Sequence, residues 1–484
     1  MSNILGLDLG TSSVKALLID ANQGVLASAT TTLQVTRLRE GWSEQNPADW
    51  IAAARDAIDQ IKGQSPSALS AVTGIGLSGQ MHGATLLDKH DEPLRAAILW
   101  NDTRSHLEAA MLDALPAFRR LTGNIVFPGF TAPKLQWCRA NEPSLFDSVQ
   151  TVLLPKDYLR LWLSGDKITD LSDASGTGWL EVGKRRWSGE LLAATGLGTE
   201  AMPRLVEGSA PGGELRRELR QRWGIKQPVC IAGGAGDNAA TACGLGVVDD
   251  ASAFLSLGTS GVLFAATRSF RPAPTSAVHC FCHALEDTWH QMGVILSATD
   301  ALNWFSRVLG VEAAALTSEL GDHPTLPTGM TFLPYLSGER TPHNEARAMG
   351  TFTGLSHRDD RRSMTAAILI GVAFALRDSL LALDAAGTKV ERVIAVGGGS
   401  QSRTWLQTIA NALQIPVDCP AGGDFGAALG AARLGLVAAH GLSPQTVLTP
   451  PVIDRVLEPD PAVKAHFDDA YSRYRRLYPA ITAT

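Results

Sequence analysis

One carboxylate stands in a sequence context that suits proton transfer. Asp237 follows a predicted strand, in the run Gly-Gly-Ala-Gly-Asp-Asn at residues 233–238. Small residues leave room for a ligand beside the carboxylate, and the strand end fixes its position. Such a carboxylate can accept the proton of a substrate hydroxyl as that hydroxyl attacks phosphorus, and Asn238 can bind a second hydroxyl. The alternative is that Asp237 caps a helix, a role that Asp fills well.

A second chemical signal is a tetrapeptide that occurs twice. Leu-Gly-Thr-Ser fills residues 9–12 and again residues 257–260, each time between two apolar runs. Each copy predicts a β-hairpin whose turn offers hydroxyls and backbone N–H groups to an anion of phosphate size. Asp8 and Lys15 flank the first copy. Because a phosphate would repel Asp8, this copy indicates a Mg²⁺ ion between the two. The repeat predicts two related halves, unless both glycines only shape ordinary hairpins.

Two polar triplets also follow predicted strands. Gln80–His82 comes after a strand at Thr73–Leu77, and Trp100–Asp102 comes after a strand at Ala96–Leu99. An aromatic face flanked by hydrogen-bonding groups suits a polyol, and strand ends are common positions for binding residues. Each triplet alone can equally be structural. Their shared position after strands favours a site.

A glycine-rich turn is a further candidate for ligand binding. Gly397–Gly399 lies between a predicted strand at Arg392–Val396 and a predicted helix at Arg403–Leu413. Open α/β sheets bind ligands at such strand–turn–helix connections, so the turn can receive a nucleotide. It can also be no more than a tight connection.

The string His279–His283 contains two histidines and two cysteines, a composition that zinc sites share. Strand alternation would place Cys280 and Cys282 on one face and the histidines on the other. Four ligands on opposite faces cannot converge tetrahedrally, so the pattern argues against zinc.

Composition narrows the class of protein. The chain has 484 residues, of which 45% are hydrophobic and 19% charged, and its net charge is -6. These values predict two or three globular domains and give no electrostatic basis for binding nucleic acid. We expect no signal peptide. We also expect no membrane span, because the longest apolar run, Met364–Leu376, is short and periodic. Six cysteines without a disulfide-like spacing favour the cytoplasm.

The elements that must position these residues alternate between strands and helices. Asn46 and Pro47 predict a helix start, and apolar residues at helical spacing continue it to Ile61. A strand at Val229–Gly236 leads to Asp237, and a small-residue helix is predicted at Ala239–Val247. Strand–helix–strand order predicts an α/β layer fold.

Seven motifs in this order resemble the FGGY carbohydrate kinases. They are Asp8-Leu9-Gly10-Thr11-Ser12, Gln80-Met81-His82-Gly83, Trp100-Asn101-Asp102, Gly236-Asp237-Asn238, Leu257-Gly258-Thr259-Ser260-Gly261, Tyr335-Leu336-Ser337-Gly338-Glu339-Arg340 and Gly397-Gly398-Gly399. Lys134 fits a further family signature. The resemblance runs from residue 4 to about residue 440.

The resemblance implies an α/β fold of two actin-like ATPase domains of the ribonuclease H type, which flank a central cleft. We predict a sugar-binding domain at residues 1–247 and an ATP-binding domain at residues 248–484. The implied reaction transfers the γ-phosphoryl group of MgATP to the 5-hydroxyl of D-xylulose. ATP and Mg²⁺ are the implied cofactors.

Residue roles follow from the motifs and the resemblance together. Asp237 is the predicted general base, and Asp8 and Asp237 are the predicted Mg²⁺ ligands, directly or through water. The predicted sugar contacts are Gln80, Met81, His82, Trp100, Asn101, Asp102, Asp237 and Asn238. The predicted ATP contacts are Gly10, Thr11, Ser12, Lys15, Gly258, Thr259, Gly398, Gly399 and Ser402.

Two positions depart from the family pattern. Ile370 stands where an acidic or amide residue is usual, and Ser363 replaces another position that is usually polar and acidic. Both fall on a long helix that we predict to be capped by Asp359 or Asp360. We expect them to affect local packing or interdomain contacts rather than activity.

Other functions stay open on sequence grounds. The substrate can be another ketose or polyol, such as ribulose or glycerol, because a few cleft side chains decide it. An actin-like ATP-binding protein would explain the repeated loops, but it would give Asp237 and Gln80–His82 no task. A sugar sensor would bind sugar without forming product. Family members are often dimers, so a homodimer is also open.

Overall fold

The structure is a computed structural model that describes residues 2–321, 326, 328–422 and 426–482. Its first half is organised around a seven-stranded sheet. The strands are β1 (Asn3–Leu9), β2 (Ser13–Ile19), β3 (Val25–Thr32), β4 (Val72–Gly79), β5 (Pro211–Glu214), β6 (Cys230–Ala232) and β7 (Ala235–Gly236). Their order is β5-β6-β4-β1-β2-β3, with β7 also paired to β4.

A second seven-stranded sheet organises the other half. Its strands are β8 (Ala253–Leu257), β9 (Gly261–Thr267), β10 (His279–Cys282), β11 (Trp289–Ile295), β12 (Val393–Val396), β13 (Val417–Pro420) and β14 (Ile453–Leu457). Their order is β10-β11-β9-β8-β12-β13-β14. In both sheets a hairpin and a third antiparallel strand lie beside parallel strands. The predicted pair of related α/β halves is therefore confirmed.

The described part of the chain contains nine helices of nine or more residues. They are α1 (Pro47–Gln64), α2 (Thr131–Asn141), α3 (Pro155–Ser164), α4 (Asp237–Leu245), α5 (Thr299–Leu309), α6 (Arg361–Ala385), α7 (Arg403–Leu413), α8 (Ala427–His440) and α9 (Lys464–Thr482).

Shorter elements fill the connections. The short helices are Pro66–Ser70, His106–Asp113, Pro116–Thr122, Pro143–Phe146, Leu171–Ala174, Gly189–Ala194, Arg217–Trp223, Ala313–Ser318 and Pro444–Val447. The 3₁₀ turns are Ser175–Thr177, Val182–Lys184, Thr199–Ala201, Pro274–Ser276 and Gly398–Gln401. Two-stranded pairs are Glu44–Gln45 with Ala97–Ile98, Thr85–Leu87 with Thr151–Leu153, Ile168–Asp170 with Arg204–Val206, Leu180–Glu181 with Arg186–Trp187, and Thr331–Leu333 with Thr351–Thr353.

Helix starts follow the capping residues that the sequence offers. The Asn46 side chain accepts a hydrogen bond from Ala48 N at the start of α1, as predicted. At the start of α6 the cap is Asp360, and Ser363 completes a reciprocal capping box with it. Such a box satisfies two otherwise unpaired backbone N–H groups. Ser363 therefore stabilises this helix start, while Ile370 is 7% exposed and packs in the core of the second half.

Helix α8 belongs to the second half by sequence, yet it packs against the first sheet and against α4. A Cβ atom on Gly430 would collide with the carbonyl oxygen of Ala240, and one on Gly76 would collide with that of Ala431. Glycine at both positions lets the backbones approach closely, and the glycines of residues 422–435 are spaced for such close packing of a helix. Residues 423–425 of that stretch lie outside the described residues. The domain division at residues 247 and 248 stays a prediction.

Within the described residues, α6 is the one helix long and apolar enough to cross a membrane, although the sequence led us to expect none. Inside the structure, 83% of its most apolar window is buried. Burial of this kind is typical of the core helix of a globular domain, and α6 packs against β11 and α7.

Candidate active site

Three parallel strands of the first sheet end at one edge, and they bring the predicted motifs together. β4 pairs with β1 on one side and with β7 on the other, so Leu9, Gly79 and Gly236 end side by side. The N–H of Gln80 donates to Leu9 O at 2.8 Å, which joins two of the strand ends. The first glycine loop, the Gln80–His82 segment and Asp237 therefore leave the sheet at the same place.

Asp237 is the first residue of α4, and Gly236 occupies the cap position. The capping alternative for Asp237 is therefore wrong, and the predicted helix start at Ala239 is two residues late. The predicted single strand before it is broken into β6 and β7 by Gly234, whose φ is 81°. Asn238 holds the carboxylate, since its N–H donates to Asp237 Oδ1 at 2.7 Å and its Nδ2 at 3.0 Å.

A second carboxylate, Asp8, acts electrostatically on Asp237. Burial raises the pKa of Asp237, the Asp8 charge raises it further, and the Asn238 hydrogen bonds oppose both, with a resulting pKa of about 6. Asp8 lies on β1 opposite Lys15 on β2 and beside Ser78 on β4. A carboxylate with a pKa near neutrality at the end of a strand is suited to accept a proton.

The same two carboxylates can contribute oxygen ligands to Mg²⁺. In the part of the chain that the structure describes, no group of three or more His, Cys, Asp or Glu side chains could hold a metal. Mg²⁺ is commonly held by one or two carboxylates, with substrate phosphates and water supplying the other ligands. The donor set therefore fits a magnesium ion that arrives with a nucleotide. A zinc site at His279–His283 would need a group of three or more such ligands, and none is found there among the described residues.

His82 is held as a neutral ring with a defined tautomer. Its Nδ1 lies 2.7 Å from the carbonyl oxygen of Gly176, and a carbonyl can only accept, so Nδ1 carries the proton. The ring stacks on Phe130 with centroids 4.9 Å apart. Burial is the main cause that lowers the pKa of His82 to about 3. Nε2 is consequently an unprotonated acceptor, which can receive a hydrogen bond from a sugar hydroxyl.

Met81 lines the space between His82 and Asp237. It is 6% exposed and belongs to the same apolar cluster as Phe130. A Cβ atom on Gly236 would lie 2.8 Å from Met81 Cγ, so the segment before Asp237 passes directly over this side chain.

The first glycine loop is fixed by side chains of the polar triplets. The Thr11 hydroxyl donates to Gln80 Oε1 at 3.0 Å and accepts from Trp100 Nε1 at 2.9 Å. Gln45, which the sequence analysis missed, accepts from Gln80 Nε2 at 2.9 Å and donates to Thr11 O at 2.7 Å. The Gln80 amide supports the loop. The Trp100 side chain is 44% exposed, so its ring is accessible to a ligand. No sequence pattern distinguishes Gln45 from other polar residues.

Asp102 lies in the wall of the site rather than on its surface. Its carboxylate receives hydrogen bonds from Arg104 Nε at 2.9 Å, Arg104 Nη2 at 2.7 Å and Ser43 N at 2.6 Å. It is 1% exposed, so it stabilises the turn that carries Trp100. Direct sugar contacts of Asn101 and Asp102 stay predictions.

The second glycine loop is anchored to the start of α5. Gly258 O accepts from Thr299 N at 3.0 Å and from the Thr299 hydroxyl at 2.7 Å, and Thr259 O accepts from Ala298 N at 2.8 Å. The loop carbonyls are thereby occupied. Thr259 is exposed at the tip, with its hydroxyl available to a ligand.

A cavity of about 650 Å³ lies between the start of α5 and the predicted nucleotide turn. Thr299 and Asn303 line it together with the predicted contacts Gly398, Gly399 and Ser402. Ser402 also caps α7. A neighbouring cavity of about 760 Å³ shares Gly398 with it. The volume of either cavity is in the range of small-molecule sites.

A buried charged cluster supports the segment before Asp237. Lys156 lies 2.5 Å from Asp157, 3.0 Å from Asp170 and 3.4 Å from Asp173, all fully buried. Ser172 donates to Asp170 at 2.5 Å and accepts from Gly236 N at 3.1 Å, which connects the cluster to the residue before Asp237. The cluster was not predicted, and its sign in the sequence is the acidic spacing of residues 170–173.

Both halves of the chain match models of one family. Residues 3–244 match the N-terminal domain of the FGGY family of carbohydrate kinases, and residues 253–439 match its C-terminal domain. The chain belongs to the FGGY family of carbohydrate kinases, which confirms the predicted resemblance.

Relatives within the family are similar over their whole length. A xylulose kinase of Klebsiella pneumoniae is 45% identical over 479 residues, which cover 98% of each chain. A solved structure described as a xyloylose kinase from Brucella ovis is 59% identical with a TM-score of 0.98, and 99% of each chain is covered. The xylulose kinase structure from Rhodospirillum rubrum is 28% identical with a TM-score of 0.91, again over 99% of each chain. The predicted two-domain α/β fold is confirmed.

Proposed function

We propose that the protein transfers the γ-phosphoryl group of ATP to the 5-hydroxyl of D-xylulose and releases D-xylulose 5-phosphate and ADP. The observation that carries this proposal is the position of Asp237, a carboxyl with a raised pKa beside Asp8 at the converging strand ends. The full-length similarity to xylulose kinases supports the choice of sugar.

In this mechanism the first half binds and activates the sugar. Asp237 accepts the proton of the attacking hydroxyl, and Asn238 keeps the carboxylate oriented. The neutral His82 ring accepts a hydrogen bond from a second hydroxyl, while Met81 and Trp100 contact the carbon skeleton. Positioning of this kind converts a reaction between two molecules into one within a complex.

The nucleotide lies in the second half. We assign the adenosine to the cavity lined by Gly398, Gly399 and Ser402, because Thr299, which also lines it, is hydrogen-bonded to Gly258 of the second glycine loop. The phosphates then lie between the two glycine loops, with Lys15 next to the first. Backbone N–H groups and hydroxyls of both loops stabilise charge on the transferring group.

Magnesium is expected with the nucleotide. Asp8 and Asp237 are the residues that would hold it, directly or through water. The ion would neutralise charge on the phosphates.

We also propose a cytoplasmic location, because the six cysteines are free thiols and four of them are buried. Cell fractionation tests this. A homodimer stays a prediction from the family, and sizing with light scattering measures it.

A coupled ADP-release assay with D-xylulose tests the reaction and the sugar together. A panel with ribulose and glycerol at matched concentrations separates the alternatives. We expect D-xylulose to give the highest kcat/KM and negligible ATP hydrolysis without sugar. Preference for another member of the panel would replace D-xylulose as the substrate. ATP hydrolysis unaffected by every sugar, with polymerisation in nucleotide, would favour an actin-like protein.

A further inference from the structure

Lys134 on helix α2 is a completely buried lysine, with 0% of its surface exposed. Its Nζ donates to the carbonyl oxygens of His82 and Gly129, each at 2.7 Å. Among the residues that the structure describes, Lys134 has no carboxylate within the 4.0 Å of an ion pair, since its charge partner Asp102 acts only at longer range.

The other completely buried lysine of the first half provides a contrast. Lys156 is surrounded by three carboxylates within 3.4 Å, which compensate the removal of its charge from water. Within the described part of the chain, Lys134 has only carbonyl oxygens at hydrogen-bond distance, and burial drives its pKa well below the usual value. An ammonium group without a paired carboxylate is unfavourable in a core, so its retention needs a local reason.

That reason lies in the backbone of His82. His82 has a φ of 70°, in the left-handed region that costs energy for a residue other than glycine. Its carbonyl oxygen accepts from Lys134 Nζ and also from the Thr131 hydroxyl at 3.1 Å. A peptide in this conformation does not continue the adjoining strand, so its carbonyl oxygen receives no hydrogen bond from the described strands of the sheet. The buried side chains of Lys134 and Thr131 supply the donors instead.

The segment that contains Lys134 contacts His82 both at its ring and at its carbonyl oxygen. Phe130 stacks on the imidazole, Thr131 and Lys134 bind the carbonyl oxygen, and Lys134 also binds Gly129. Gly129 in turn packs against the carbonyl of Trp100 so closely that a Cβ atom there would collide with it. The lysine therefore connects the two polar triplets: it binds His82 of the first directly, and it binds Gly129, which packs against Trp100 of the second.

We propose that Lys134 is a positioning residue of the sugar site, which fixes the left-handed His82 peptide and with it the orientation of the His82 ring. The inference rests on the proposed function, because it takes His82 as a sugar contact. The lysine does not touch the sugar, and its effect passes through His82.

Kinetics of Lys134→Met test the proposal, because methionine keeps an apolar stem of similar length and removes the donors. We expect KM for the sugar to rise about tenfold to a hundredfold, since a hydrogen bond from a charged group is lost, with KM for ATP unchanged. Thr131→Val, which removes the weaker donor, should raise the sugar KM by a smaller factor. Arg139→Met on the exposed face of the same helix is the control and should leave both constants unchanged.

A double-mutant cycle with His82→Ala decides whether the effect passes through His82. We expect Lys134→Met to add almost nothing to sugar KM once His82 is removed. Equal effects of Lys134→Met on the sugar and ATP constants, or full additivity with His82→Ala, would overturn the proposal.

NMR of the His82 imidazole nitrogens gives a readout that needs no turnover. The wild-type protein should show the Nδ1–H tautomer, and Lys134→Met should show a mixture of tautomers. An unchanged single tautomer in the variant would contradict the proposal even if the protein phosphorylates a different sugar. A wild-type protein that shows this tautomer but phosphorylates no sugar would instead refute the proposed function.

Discussion

The two glycine loops share the tetrapeptide Leu-Gly-Thr-Ser, yet they are built differently. In the first hairpin Asp8 pairs with Lys15 and Leu9 pairs with Val14. In the second, Leu257 pairs with Gly261, so the second turn is one residue shorter. A shift of one residue in a strand pair moves side chains to the opposite face, and the copies therefore present different groups.

The neighbours of the loops differ as well. The first loop is held by side chains of the two polar triplets, through Gln80 and Trp100 on Thr11. The second is held by the backbone and hydroxyl at the start of α5, through Thr299 on Gly258. Where the first hairpin has Asp8, the second has Ser256. Two hairpins with the same tetrapeptide thus differ in charge and in the residues that hold them, which is consistent with the different roles that we propose for them.

The largest effect should come from the base itself. Asp237→Asn replaces the carboxylate that accepts the proton with a neutral amide. It should lower kcat by about 10²- to 10⁴-fold. ATP affinity, measured by calorimetry, should change little, because the cavity that we assign to the adenosine lies in the second half. Turnover close to that of the wild type would show that the proton leaves by another route.

The matched pair Asp8→Asn and Ser256→Ala tests the comparison directly. Asp8→Asn removes a charge beside the reacting groups and should lower kcat/KM by about 10²-fold. Ser256→Ala at the corresponding position should have a small effect, within about threefold on the scale of one weak hydrogen bond. Steady-state kinetics at saturating Mg²⁺ measures both. Equal losses would mean that the two hairpins contribute alike.

The two threonines at the loop tips should affect different substrates. Thr11→Val removes the hydrogen bonds to Gln80 and Trp100, each worth about 1 kcal/mol, and should raise the sugar KM about tenfold. Thr259→Val should raise the KM for ATP and leave the sugar KM unchanged. Initial rates with each substrate varied in turn give both constants. If both variants altered only the KM for ATP, the specialisation of the loops would be refuted.

The pH dependence should distinguish the halves most finely. Asp237 acts as a base only when it is deprotonated, and its pKa is about 6. The value of kcat/KM for the sugar should therefore be constant above that pH and fall about tenfold per pH unit below it. Asp8→Asn removes a charge that raises this pKa, so it should move the acid limb to lower pH, whereas Ser256→Ala should not.

Local signals predicted much of this structure. Asn46 caps α1 as its sequence context indicates, and α7 occupies the predicted residues Arg403–Leu413. Motifs that follow strands converge because parallel strands end at one edge of a sheet. The shift between the hairpins was not predictable, since one tetrapeptide is compatible with both turn lengths.

Contacts between distant residues were the part that sequence could not provide. Asp102 looks like a ligand residue, but its carboxylate is occupied by Arg104, and only the fold sets that direction. Lys134 lies 52 residues from His82 along the chain, and no periodicity links the two. Side-chain partners at such separation are set by packing, which the one-dimensional pattern does not contain.

A crystal structure with D-xylulose and a non-hydrolysable ATP analogue tests the central claim most directly. We predict an Asp237 carboxylate oxygen about 2.6–3.2 Å from the 5-hydroxyl of the sugar, with the γ-phosphate between the two glycine loops. A bound sugar whose 5-hydroxyl faces away from Asp237 would contradict the account.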